Sequence, residues 1–153
     1  MNDSVADHEL LIRRTFDAPV PLVFSMWADP DHFRQWMGPA NFSCPVIEMD
    51  FRVGGSYRAM IYSDEHGENW FGGVYKEIET NKRLVFTFTW NSGGPSDGLE
   101  TMVTILFREI DGKTEQIFHQ TPLLSAERRD SHVGGWTETF GKQEQYLNAL
   151  TQN

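Results

Sequence analysis

Apolar and polar positions along the chain change period twice, and those changes divide it into three parts. In 9–16, Leu10 and Ile12 alternate with Leu11 and Arg13, the period-two pattern of a strand, until Asp17-Ala18-Pro19 breaks it. Val20, Val23, Phe24 and Trp27 then fall at i, i+3, i+4 and i+7, so a short amphipathic helix is expected over 19–28. Pro30 cannot continue that helix, and Asp29 is a good N-cap for a second short one through Phe33 and Trp36, ended by Gly38-Pro39. Period two returns in six segments, 46–53, 56–62, 70–79, 83–90, 101–109 and 115–121. Gly54-Gly55, 64–67, 80–82, 93–98 and Asp111-Gly112 supply turn chemistry between them. Such short connections require antiparallel pairing, because parallel strands need longer crossovers. In 83–90, Leu84, Phe86, Phe88 and Trp90 take one face, and Val85, Thr87 and Thr89 the other.

The third part, 126–150, has a helical period, with Val133, Trp136, Phe140, Leu147 and Leu150 on one stripe. At 1.5 Å per residue it would be roughly 35 Å long, enough to cross a whole sheet. Gly134-Gly135 costs about 1 kcal/mol per glycine relative to alanine, so the firm helix is expected to begin near Gly135 after a looser lead-in. The expected class is α+β: a curved antiparallel sheet of six or seven strands, two short helices, and a long C-terminal helix closing over an apolar cavity.

Composition narrows the picture. With 153 residues, 39% hydrophobic and 13% aromatic, one well-filled core is expected: a single domain over 9–153 after a flexible N-terminus, 1–8. The net charge is −9, and the basic pairs Arg13-Arg14, Lys82-Arg83 and Arg128-Arg129 are scattered, which argues against nucleic acid and against an anionic membrane surface. Cys44 is the only cysteine, so no intrachain disulfide can form. The first residues are acidic where a signal peptide would be basic and then apolar, and no apolar run approaches the roughly 20 residues of a membrane span. A cytoplasmic protein is expected.

The element order, together with seven local motifs, resembles the helix-grip fold of the SRPBCC (START/Bet v 1-like) superfamily. Ala18-Pro19 with Val23-Phe24 and Trp27 is similar to that family's first helix, and 33–39, Phe-Arg-Gln-Trp-Met-Gly-Pro, to its Trp-Met-Gly-Pro corner. Asp50-Phe51-Arg52-Val53-Gly54-Gly55-Ser56-Tyr57-Arg58 resembles its Gly-Gly hairpin; Gly73, Tyr75, Glu77-Ile78, 83–87 and Trp90 continue it. Gly134-Gly135-Trp136 with Phe140 and Leu147 looks like the opening of its grip helix. The branch is the one named after the activator of the heat shock protein 90 ATPase, in a short, usually bacterial, single-domain form. The resemblance implies a ligand cavity, in a family whose members are reported as binding domains, cyclases or hydrolases. The co-chaperone activity of eukaryotic members rests on an additional N-terminal domain without a counterpart in these residues.

Several features invite chemistry and are read more plainly. Gly54-Gly55-Ser56 lacks a following helix and a Gly-Lys-Ser/Thr, so it is a hairpin turn, not a phosphate loop. His8, His32, His66, His119 and His132 show no metal-ligand spacing, and the acidic cluster 64–68 falls in a turn; no metal and no cofactor are expected. Cys44, before Pro45, reads as an inert thiol. The residues expected to line the cavity are Trp36, Arg58, Met60, Phe86, Phe88, Trp90, Gln116, Phe118, Gln120, Trp136 and Phe140. Trp27 is read as core. Gln116, Phe118 and Gln120 share one strand face; Gln116 stands where the family usually has leucine. The two amides therefore meet either a polar ligand or water in the cavity, or a partner on the C-terminal helix. Arg58 is either a clamp for an anionic ligand or the partner of Glu48 or Asp50.

The leading functional expectation is a binding domain for a small apolar or aromatic molecule. A cyclase- or hydrolase-like enzyme, with His119, Tyr75 and Arg58 as the available groups, is the second, and a chaperone-associated domain the third. A homodimer is possible through a sheet edge or the 36–39 corner.

Overall fold

The computed structural model describes residues 7–91, 93–94 and 96–151. Most of the segment expected to be a flexible N-terminus, 1–6, lies outside them. His8 does not: its carbonyl accepts from Leu123 N at 2.6 Å.

The chain order is β1 (Leu10–Phe16), α1 (Val20–Ala28), α2 (Pro30–Trp36), β2 (Ser43–Met49), β3 (Ser56–Ser63), β4 (Gly67–Glu79), β5 (Arg83–Trp90), β6 (Thr101–Ile110), β7 (Lys113–Thr121) and α3 (Ala126–Thr151). All seven strands form one antiparallel sheet, β1-β7-β6-β5-β4-β3-β2, with α3 across its concave face and α1–α2 filling one end. The class expected from the periodicity is the one found. Pro45 is tolerated because β2 is an edge strand, where a missing N–H breaks no inner ladder.

Two glycine sites shape the sheet. Residues 50–55 turn tightly between β2 and β3; Gly54 takes φ +87°, and a Cβ on Gly55 would lie 2.0 Å from Asp50 O. Consequently β2 ends at Met49, and it runs from Ser43, not over the expected 46–53. On β4, a Cβ at Gly73 would lie 1.9 Å from Thr87 O on β5, and the register shifts by one residue between Tyr75 and Glu77. A close approach followed by a bulge bends the strand, which is how the sheet curves around the core.

The helix α3 starts at Ala126, nine residues before the expected firm start at Gly135. Ser125 caps it, its Oγ accepting from Arg128 N at 3.1 Å. Trp136, Phe140, Gln143 and Leu147 are buried against the sheet, and tertiary packing of this kind outweighs the propensity cost of two glycines. Charged ties hold the helix in place. Arg14 donates to Glu144 at 2.8 and 3.1 Å from the β1 edge, and Lys142 Nζ donates to Gly38 O (3.0 Å) and Phe42 O (2.8 Å) in the connection after α2. Desolvation lowers the Lys142 pKa, the ammonium being partly compensated by those carbonyls.

Candidate functional site

The space expected to be the ligand cavity, between the middle of α3 and the inner face of β5–β7, is occupied by side chains. Trp27 is the hub: its ring lies 4.9 Å from Trp36, 6.1 Å from both Phe86 and Phe118, 6.3 Å from Phe140 and 6.4 Å from Trp136. What remains beside Trp27, Tyr57, Tyr75 and Phe86 is a void of about 10 Å³, no more than one water would fill. Trp36, Phe118 and Phe140 are thus plain core, with Phe86 beside the void.

Gln116 and Gln120 do point inward, and each is satisfied by protein. The Gln116 and Gln143 amides donate to one another's oxygens at 3.3 and 3.0 Å, and Trp27 Nε1 donates to Gln116 Oε1 at 3.0 Å. One level along β7, Trp136 Nε1 donates to Gln120 Oε1 at 3.0 Å, and Gln120 Nε2 donates to Thr101 Oγ1 at 2.9 Å. The helix-partner alternative therefore describes both amides. They select the position of Trp27 and of α3 by pairing groups that would be costly to bury alone.

The open cavity lies further toward the N-terminal half of α3. It is a cleft of about 280 Å³ between the ends of β3–β5, Gly94, Ser96 and Asp97 after β5, and helix residues 128–139. Met37, Pro39, Ile61, Phe71, Phe88, Trp90 and Trp136 make its walls; Asn69, Asp97, Arg128, Ser131, His132 and Thr139 are among its polar groups. The walls are interlocked: Phe71 stacks on Phe88 at 4.8 Å, and Phe88 meets Trp90 edge-on at 5.2 Å and Trp136 at 5.8 Å. The helix offers the cleft a stripe at i, i+4, i+7, i+11: Arg128, His132, Gly135 and Thr139. Gly135 leaves the room. A Cβ there would meet only Pro39 Cγ, at 3.6 Å.

His132 ties the cleft's two sides together. Trp90 Nε1 donates to His132 Nε2 at 3.0 Å, and His132 Nδ1 lies 2.8 Å from Arg128 O. Accepting at Nε2 and donating at Nδ1 is the neutral imidazole with its proton on Nδ1. Burial lowers its pKa in the same sense, since desolvation disfavours the cation. With both nitrogens engaged, His132 positions Trp90.

Of the residues expected at the cavity, Phe88, Trp90 and Trp136 are brought together in the cleft. Arg58 and Met60 are on the opposite, convex face of β3. There the exposed Arg58 guanidinium pairs with Glu48 at 3.3 Å and lies 4.6 Å above the Trp70 ring, as the structural alternative had it. Met60 is buried on that face, next in register to Val46 and Trp70 and outside the main core. Strand alternation explains both: Tyr57, Ala59 and Ile61 take the inner positions. The residues considered for catalysis are not assembled either. His119 faces outward with its Nε2 2.9 Å from Glu9 Oε1, and Tyr75 is buried with its hydroxyl on Met49 Sδ and its pKa raised by burial. Of the 36–39 corner, Trp36 and Met37 are buried within the chain. Cys44 is buried, its thiol pushed up to about 11 by desolvation. Among the described residues, no three His, Cys, Asp or Glu side chains converge as metal ligands, and no helix is long and apolar enough to cross a membrane.

In the sequence, Arg128, His132 and Gly135 stand in other roles: in a scattered basic pair, among the histidines without metal-ligand spacing, and at the start of the firm helix. What brings them to the cleft is their shared stripe with Thr139 on α3.

A sheet wrapped around one long helix, leaving an aromatic cleft at the helix's N-terminal half, is the helix-grip architecture. Residues 17–148 match the family of Activator of Hsp90 ATPase homolog 1-like proteins, and the chain belongs to it. Its fold is shared with a protein from Staphylococcus epidermidis (TM-score 0.81, 20% identity, 100% of this chain and 97% of that one). It is shared also with the AHSA1 protein from Silicibacter pomeroyi (0.80, 22%, 92% and 98%) and with a protein from Chromobacterium violaceum (0.80, 23%, 91% and 96%). No curated protein matches the chain.

Proposed function

We propose that this protein binds a small, flat apolar or aromatic molecule in the cleft between Phe71, Phe88, Trp90 and Trp136. The observation that carries this reading is a cleft of about 280 Å³ walled by aromatic rings beside a helical glycine. That volume is near the lower end of ordinary ligand pockets, roughly 300–1,000 Å³, and suits a bicyclic ring system. The void beside Trp27, Tyr57, Tyr75 and Phe86, about 10 Å³, is too small for such a molecule.

Gly135 provides the test. Gly135→Leu puts a side chain into the cleft, whereas Gly134→Leu, one residue back, adds the same side chain where nothing lies within 4 Å of a Cβ. Each replacement favours the helix by about 0.5–1 kcal/mol, so neither variant should unfold the domain. A neutral aromatic probe, 2-naphthamide, is titrated against each protein and followed by tryptophan emission and by melting temperature. Binding should survive in Gly134→Leu and be lost in Gly135→Leu. Equal binding by both variants would place the ligand elsewhere.

A further inference from the structure

The chain has nine arginines among 22 acidic side chains, and eight of the nine lie within ion-pair distance of a carboxylate. Among the described residues, Arg128 is the exception. Its neighbour Arg129 pairs with Asp130 at 2.8 Å, but no carboxylate among the described residues lies within ion-pair distance of Arg128, which is one of the residues lining the cleft. Helix stability does not account for it. Arg128 is in the first turn of α3, at the positive end of the helix dipole, where a cation is disfavoured.

None of the other charged or titratable groups of the cleft pairs with that guanidinium. Asp97, across from it, is turned to its own loop, accepting from Gly93 N at 2.5 Å and Gly94 N at 3.2 Å. His132 is held as a neutral acceptor and donor by Trp90 and Arg128 O. A half-buried arginine with no carboxylate paired to it therefore borders an aromatic slot. From this we infer that the ligand is an aromatic or apolar monoanion, with its ring between Phe88, Trp90 and Trp136 and a carboxylate or similar planar anionic group on Arg128. A planar carboxylate can take two parallel hydrogen bonds from a guanidinium, which a lysine could not provide.

The inference rests on the cleft being the binding site, and the experiment separates the two. The probes are 2-naphthoate and 2-naphthamide, nearly identical in shape and differing in charge. The wild-type protein should bind the carboxylate about tenfold or more tightly than the amide at low salt, the scale of one charge-assisted pair. Arg128→Gln should erase that preference with little change in amide affinity, and Arg128→Lys should keep only part of it. Equal affinities in the wild type, or a preference that persists in Arg128→Gln, overturns the anion inference while the cleft stands. If neither probe binds, or Gly135→Leu binds the amide as well as wild type, the cleft reading fails and this one with it.

Discussion

Replacing Gln116 by leucine isolates what the buried amides do. The side chain is fully buried, and the substitution removes the hydrogen bond from Trp27 Nε1 and both bonds with Gln143. Trp27 N–H and the Gln143 amide are then left in an aromatic core without water. Orphaned buried groups cost about 1–3 kcal/mol each, so two donors cost about 2–6, of which leucine's apolar contact recovers about 1. A net loss of about 3 kcal/mol lowers the melting temperature by roughly 6–12 °C in a domain of this size. Urea unfolding at neutral pH gives the free energy and differential scanning calorimetry the temperature. A second leucine at Gln143 removes one orphan, so the double variant should be more stable than the sum of the singles by about 1 kcal/mol. Neither change should affect 2-naphthamide binding, because Gln116 does not reach the cleft. A Gln116→Leu protein as stable as wild type would refute the claim that these bonds hold the core.

The remaining predictions concern the periphery of the site. The His132 pKa is lowered on folding, so stability is fully present above the unfolded value of about 6.5 and is lost as pH falls from there through the folded value. His132→Gln should flatten that slope in urea midpoints taken from pH 8 to 5, and an unchanged slope would remove His132 as its source. Lys142→Met strips a charged donor from Gly38 O and Phe42 O and should cost about 1.5–3 kcal/mol, with faster amide exchange in 38–42 than in wild type. Gly73→Ala forces a Cβ to 1.9 Å from Thr87 O and should destabilise by several kcal/mol, measured by the same unfolding curves. Cys44 should resist a disulfide reagent at pH 8 until the protein unfolds, since it is buried and its thiol is pushed up to about 11; rapid labelling of the folded protein would contradict its placement.

Much of the fold was legible because periodicity and turn chemistry reinforced each other. The run of Leu84, Phe86 and Phe88 specifies a strand with one face in the core, and Gly54-Gly55 and Asp111-Gly112 mark two hairpins where they occur. The start of α3 was legible in the helical period from Ala126 but obscured by Gly134-Gly135, whose propensity argues against a helix that burial of Trp136 and Phe140 enforces. The site was half legible. Aromatic content identifies Phe88, Trp90 and Trp136 as wall material, but no local pattern tells a ring that lines a cleft from one, like Phe118, that fills the core. That depends on how completely Trp27 fills the space below α3, a property of five elements packed together. Arg58 stood between two readings for a simpler reason: alternation gives two faces, and only the tertiary fold says which is concave.

The five tryptophan indole N–H groups are spread between the buried core and the half-buried sheet and can report where a ligand goes. With uniformly 15N-labelled protein, 2-naphthamide is titrated while the five side-chain resonances are followed. The cleft reading predicts large shifts for Trp90 and Trp136, whose rings form its walls, and little movement for Trp27, which is held on Gln116 in the filled interior. A large shift of Trp27 with Trp90 unmoved would contradict it and return the binding site to the space beneath the middle of the helix.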